Sequence, residues 1–526
     1  MKTTKLTITL ITLLSGATLC LGQGSGFTYH GLLKEGGQPV SGPWNMRFTL
    51  WNAESNGSPA GGPLEMAAVP VTNSQFSVLL DFGAAPFSGD TRWLEVAVRP
   101  GNSTNDFVPL RPRQFVASTP YAIRAAVASS LASSPVQPLE FYAQGARVLR
   151  MELATNGLGS APNFIGGSGL NSVAVGTIGA TIGGGGPDPA APNGRPQFIG
   201  NDFATICGGI GNCITGEVST ICGGWQNTVQ YECEYSFIGG GYQNTMAYGA
   251  DYGVIGGGEI NYLEADWGVI GGGKQNAVQN DARFSSIGGG YQNTVQPKAY
   301  YDIIAGGAGN TIGGAGYFSA ISGGFQNSVG AGANQTTIAG GSSNTIGSAA
   351  HASAIGGGTA NTIQAGVKNA TIPGGQGALA SKQGQWALAS GTFSSRGDAQ
   401  SSAYVLRATT QNATRVKELS LDGDSSLQRL TVPSGSRWSF DALIVAGNAE
   451  GATAGFQIKG TTKNVAGVTA LVGTPSLTPL GADTTASSWA PAVSASDVDA
   501  ALIFSATGDA TTIRWVVHVR TVELTF

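Results

Sequence analysis

The chain of 526 residues holds 82 glycines, is 41% apolar and 11% charged, and carries a formal net charge of −4. This excludes a nucleic-acid partner, which needs a basic face, and a charge-extended disordered chain, which lacks so much apolar surface. Abundant glycine with few charges points instead to β-structure rich in tight turns.

The chain opens on Lys2 and Lys5, followed by the short apolar run Leu6–Leu14. A helix needs about 20 apolar residues to span a bilayer, so this run reads as the core of a secretory signal. The small pair Cys20 and Gly22 places cleavage after Gly22, with residues 1–22 as signal peptide and the rest secreted or displayed at a cell surface. No later segment reads as a spanning helix. The final stretch Ile513–Phe526 keeps neither face apolar along its length, so no membrane anchor of its own is expected.

Residues 23–128 carry period-two segments: Phe27–Tyr29, Met46–Trp51, Gln75–Leu80 and Trp93–Val98. Turn-rich stretches separate them, the signature of a β-sandwich module. The Ala- and Ser-rich stretch Ala122–Ser134 leads into a linker or neck placed at residues 129–149.

Residues 150–385 are periodic. Segments such as IGGGYQNTV and ISGGFQNSV recur with leading isoleucines at Ile206, Ile221, Ile238, Ile255, Ile270, Ile287, Ile304, Ile321, Ile338 and Ile355. Steps are 17 residues, except two of 15, and degenerate copies extend the array to Ile165, Ile182 and Ile372. The two step lengths differ by two residues, which keeps strand parity and hence the inward face. In each unit the leading isoleucine and the apolar residue eight positions on (Val229, Val295, Ile312, Ile346) sit on short strands. Glycines after the first strand allow close backbone approach, and the asparagine six positions on suits a left-handed turn. Stacked units of this kind make a β-solenoid or β-roll, an all-β repeat architecture.

Three residues before the leading isoleucine stand Tyr235, Tyr252, Trp267, Phe284, Tyr301 and Phe318, aromatic on six consecutive rungs. They are the candidate ligand-binding residues, or else a stack buried in the core or between chains. The nearby acids Glu232, Glu234, Asp251, Glu264, Asp266, Asp281 and Asp302 read as a solvated edge of the return loops. Cys207 and Cys222 each follow a leading isoleucine on adjacent rungs and are candidates for a disulfide, with Cys213 and Cys233 as the remaining pair. No CxxC spacing and no neighbouring histidine supports a metal site, and no cofactor is implied.

Residues 386–526 form a third β region, with strands read at Tyr404–Ala408, Trp438–Val445 and Ile513–Thr525. The triplet Arg396-Gly397-Asp398 falls at its start. With only His30, His351 and His518 in the chain, no Ser-His-Asp set is legible and no catalytic residue is assigned.

The sustained period, with Asn171-Ser172-Val173-Ala174-Val175-Gly176 as its nearest local match, resembles the head of YadA-like trimeric autotransporter adhesins over residues 150–385. The C-terminal region, from Arg396–Gln400 and Tyr404–Arg407 to Arg514–Val517, resembles C-terminal domains of phage tail-fibre-like proteins. The first resemblance implies a left-handed, homotrimeric β-roll on a bacterial surface; the second implies a trimeric β tip. The function expected from the whole is a fibre-like adhesin, not an enzyme, binding a glycan or surface protein. Alternatives are a structural spacer or surface-layer component and a tailspike-like polysaccharide-degrading enzyme.

Overall fold

A computed structural model of the chain describes residues 26–526 except 84, 88–89, 118–136, 189–193, 412–415 and 424–427. The expected signal peptide and the stretch Ala122–Ser134 lie outside the described residues. The chain divides into two compact units, Met1–Ala132 and Ser133–Phe526.

The first unit holds two larger antiparallel sheets and a short hairpin pairing Lys34–Glu35 with Gln38–Pro39. One sheet pairs Phe27–Leu32 with Gln75–Leu80; the other is built on Gly42–Trp51, flanked by Pro59–Val71 and Trp93–Pro100. Alternate residues of these strands point inward, so Met46, Phe48, Leu50, Val78, Leu80, Leu94 and Val96 form one shared core, as the period-two pattern predicts. Arg113 is almost fully buried beside it. Its guanidinium donates to Glu95 at 3.1 Å and to the carbonyls of Ala53 and Asn56 at 3.0 and 2.7 Å, and lies 3.6 Å over the Trp51 ring.

In the second unit, residues 139–149 are strand rather than linker: Leu139–Ala143, Ala146–Asn156 and Gly159–Gly166 form an antiparallel meander. Its last strand pairs in parallel with Thr181–Ile182, where the solenoid begins. From there two-residue strands stack in register into two parallel sheets. The leading isoleucines line one, pairing Ile206 with Ile221 and so on to Ile355 with Ile372. The other holds thirteen strands, from Ser172–Val173 to Leu379–Ala380. The inward residues of both, with alanines from the return turns such as Ala250, Ala282 and Ala299, form one continuous core.

The glycine after the second turn position cannot be replaced cheaply. Gly241 has φ +94°, and a Cβ there would overlap the carbonyl of Gly258 on the next rung. Close stacking and a left-handed backbone both demand glycine. The asparagines play a different part from the left-handed turn residue expected. Positive φ falls on the residue before them (Gln226, Gln243, Gln275, Gln292, Gln326), while the asparagines are buried. Each amide bonds to backbone groups of its own turn and of the neighbouring rungs. Asn293 Nδ2 donates to Gly289 O, Gly307 O and Asn276 Oδ1 at 3.0, 2.9 and 3.1 Å, and its Oδ1 accepts the Asn310 N–H at 3.0 Å. Burial selects asparagine here because one side chain supplies both donors and an acceptor to backbone groups sealed from water.

The sheet of leading isoleucines is covered at both ends. The meander caps the start, and Trp386–Ser390 pairs with the last rung and with Ala399–Thr410 of the C-terminal domain. Capping removes the unpaired edges that would otherwise template further stacking. The C-terminal domain carries the predicted strands as Ala399–Thr410, Ser436–Asn448 and Ile513–Thr525 in one sheet. A smaller sheet around Ala501–Thr507 closes a core containing Phe440, Phe504 and Trp515. Glu523, which breaks the apolar pattern of the last strand, accepts from Tyr404 Oη and Gln400 Nε2, both at 2.8 Å. No described helix is long and apolar enough to cross a membrane.

Candidate functional site: an aromatic ladder on the solenoid

The aromatic column occupies the last turn before each leading strand. All six residues adopt the left-handed backbone, with φ between 52° at Trp267 and 59° at Tyr301 and Phe318. For a residue with a Cβ this conformation costs about 1–2 kcal/mol. Rung-to-rung hydrogen bonds hold it: Tyr252 N–H donates to Glu234 O at 2.9 Å and Trp267 N–H to Asp251 O at 2.8 Å. The same backbone recurs in the column at Phe203 and Val218 before the six, and at Gln335, Ala352 and Asn369 after them. The turn therefore needs a left-handed residue but does not need a ring.

The rings form a continuous stack. Centroids from Tyr235 to Phe318 lie 5.1, 5.6, 4.8, 4.9 and 5.1 Å apart, with planes within 20° of parallel. Each pair contributes about 0.5–1.5 kcal/mol, offsetting part of the backbone cost. The ladder lies on the surface of the chain, not in its core: exposure runs from 42% at Phe284 to 56% at Phe318. Because Tyr252, Trp267, Phe284 and Tyr301 each have a ring against both faces, what they offer to solvent is the ring rim. A sugar stacks on a ring face, so face stacking is confined to the ends of the ladder.

Of the acids beside the ladder, Glu232 and Glu234 are exposed and Asp251, Glu264, Asp266 and Asp281 half-buried. Arg283 pairs with Asp281 at 2.8 Å and Asp266 at 3.4 Å. Asp302 is not on the edge. It is fully buried two residues before Ile304, in a column where Ser219, Ser236, Ser285, Ser319 and Ser353 stand on other rungs and further rungs hold alanine, glycine or threonine. The Ser319 N–H donates to its Oδ1 at 2.6 Å, while Oδ2 has no hydrogen-bond partner. Burial pushes its pKa up to about 6.

All four described cysteines are free thiols. Cys207 and Cys222 stand exposed and in register, as the spacing predicts. Cys213 and Cys233 do not form a pair: Cys213 lies on the outer side of a second-sheet strand, whereas Cys233 points into the core and donates to Ala247 O at 2.8 Å. The Arg396–Asp398 triplet is folded into a turn. The Asp398 carboxylate accepts the N–H groups of Phe393, Ser394 and Ser395, which hold its pKa low, and Arg396 donates to Thr362 Oγ1 at 2.7 Å. A receptor has no access to that carboxylate.

A second aromatic column escaped the sequence reading. Trp225, Tyr242, Tyr291 and Phe325 align in one bridge column four residues after the leading isoleucine. Glu259, Lys274 and Ala308 interrupt it, so it makes no continuous strip.

Residues 28–113 match the family described as a domain of unknown function (DUF8740). No curated protein matches. Among solved structures, a tailspike protein of the Acinetobacter phage vB_ApiP_P1 aligns at 9% identity over 69% of this chain and 81% of its own, with a TM-score of 0.17. A likeness that slight bears no argument. The fold by itself defines the class: a capped, all-β solenoid flanked by β domains.

Proposed function

We propose that this chain is an exported, fibre-like, non-enzymatic adhesin of a cell surface, assembled as a homotrimer, and that the aromatic ladder is its contact strip for a protein partner. The observation that carries the reading is the unbroken run of six half-exposed rings at a turn position whose fold is satisfied elsewhere by Gln335, Ala352 and Asn369. Contiguous exposed apolar surface of this kind marks an interaction site. Over five steps of about 4.8 Å the strip runs roughly 24 Å. Rims rather than faces point outward, which favours a protein surface over stacked sugars. The acids along the border favour a partner that carries lysine or arginine.

The test pairs light scattering with binding to arrays of matrix proteins and glycans, for the intact chain and for the double variant Tyr252→Ala, Trp267→Ala. The expected result is a trimer in both, protein binding that weakens with salt, and loss of that binding in the variant. If the variant trimer falls apart, the ladder is a seam between chains and the adhesin reading fails. Release of oligosaccharides from a polysaccharide panel would overturn the non-enzymatic reading.

A further inference from the structure

We propose that Cys207 and Cys222 are an oxidisable dithiol that closes into a disulfide between adjacent rungs. The inference is independent of the aromatic ladder and rests on register. Thr205 and Ile206 pair in parallel with Thr220 and Ile221, so the residue after each isoleucine stacks directly on its counterpart. Backbone hydrogen bonds fix both positions: Cys207 N–H donates to Ile221 O and Cys222 N–H to Ile238 O, each at 3.0 Å. Rungs about 4.8 Å apart place the Cα atoms within the roughly 4.4–6.8 Å that disulfides span. Both residues are exposed, and the two thiols lie within hydrogen-bonding reach of each other. Along the rest of this column the position is held by residues without a thiol, among them Gly239, Gly256, Gly271, Ala305 and Ser322. The other two cysteines are set apart, Cys213 on the second sheet and Cys233 in the core.

The oxidant is a small-molecule disulfide such as glutathione disulfide. The Cys207 thiolate attacks one of its sulfurs and expels a glutathione thiolate, leaving a mixed disulfide on Cys207. The Cys222 thiolate then attacks Cys207 Sγ, forms the rung-to-rung bond and expels the second glutathione thiolate. Two electrons pass from the cysteine sulfurs to the oxidant, and the two thiol protons end on the released glutathiones. Burial and the neighbouring Cys207 hold the Cys222 thiol above its ordinary range, so closure accelerates with rising pH.

The experiment treats the native full chain with glutathione disulfide and maps the products after digestion. Residues 196–273 contain no lysine or arginine, so cleavage must be at glutamate. Glu217 separates Cys207 and Cys213 from Cys222, and Glu232 and Glu234 isolate Cys233. The expected product is a linked peptide pair joining Cys222 to the Cys207-bearing fragment, lighter by two hydrogens, and formed equally in Cys213→Ser. In Cys222→Ser the reaction stops at the glutathione adduct on Cys207. Stable glutathione adducts on both Cys207 and Cys222 of the native chain, or a link that disappears in Cys213→Ser, would overturn the proposal.

Discussion

Asp302 gives the sharpest test of how the solenoid is held together. In its column each serine hydroxyl does two things. It donates to the carbonyl fourteen residues on, as Ser236 does to Ala250 O at 2.7 Å and Ser285 to Ala299 O at 2.7 Å. It also accepts a donor from the next rung, an N–H in the case of Ser285 Oγ from Asp302 at 3.0 Å and the Thr336 hydroxyl in the case of Ser319. Asp302 Oδ1 performs the accepting half, but its Oδ2 has no partner, and an ionised carboxylate has no proton to give. The carbonyl at the matching offset is Gly316. A protonated Asp302 can donate to it and complete the ladder. No charged group acts on the carboxyl; burial raises its pKa from 3.8 to about 6, and the Ser319 N–H opposes that. The folded state thus holds the proton more tightly than the unfolded chain. At pH below the unfolded value both states are protonated and Asp302 costs nothing. Stability then falls as pH rises, and the loss is complete above about pH 6. A shift of about two units corresponds to about 3 kcal/mol. Asp302→Asn supplies a permanent donor of the same shape. It is expected to raise the urea midpoint at about pH 7.5 by an amount equivalent to 2–3 kcal/mol, a difference that vanishes below about pH 4. Equal midpoints at neutral pH, or a gap that persists in acid, would refute the reasoning.

Asn293→Ala leaves the carbonyl of Gly289 and the N–H of Asn310 without a partner, while the Gly307 carbonyl keeps the Tyr291 N–H at 2.9 Å; at about 1–3 kcal/mol per orphaned group, a loss of about 2–4 kcal/mol is expected. Hydrogen exchange should show it centred on the neighbouring rungs, and Asn293→Asp should be no better because it lacks the donors. In the first unit, Arg113→Ala leaves Glu95 paired with Arg111 alone, takes the donor from the carbonyls of Ala53 and Asn56 and uncovers Trp51; at about 1–3 kcal/mol per orphaned group, a loss of about 3 kcal/mol is expected. Calorimetry should place it in the transition of residues 1–132 and leave that of the solenoid unmoved.

The solenoid was legible because in-register stacking forces the same residue type into the same place on every rung, so period, strand positions and the apolar columns all surface as repetition. The asparagine column was equally visible, yet its role was not. Asparagine tolerates a left-handed turn, and that local preference outweighed the question of where the buried turn carbonyls find donors. Glutamine, which has no such reputation, occupies the left-handed site because there its side chain lies outside the crowded turn. Asp302 was misplaced for want of register: counting two residues back from each leading isoleucine aligns it with Ser285 and Ser319, not with Asp281. The same count separates Cys233 from Cys213. The cluster of Arg113, Glu95 and Trp51 has no local signature, since its members lie far apart in sequence and meet only when Gly42–Trp51, Trp93–Pro100 and the segment leading into Gln114–Phe115 join one sheet.

A stacked repeat converts any single surface position into a stripe, so the extent of a stripe reports a choice made by the sequence and not by the fold. The left-handed turn column runs the length of the solenoid, but rings fill it without a break only from Tyr235 to Phe318. Were stacking energy the purpose, the rungs at Gln335, Ala352 and Asn369, which bear the same backbone cost, would gain from rings as well. They lack them and are built just as regularly. The rings therefore add a local surface to a scaffold that stands without them. Stability and binding should separate on substitution: exchanging Tyr252 and Trp267 for the residues the later rungs use leaves the stack folded and removes the strip.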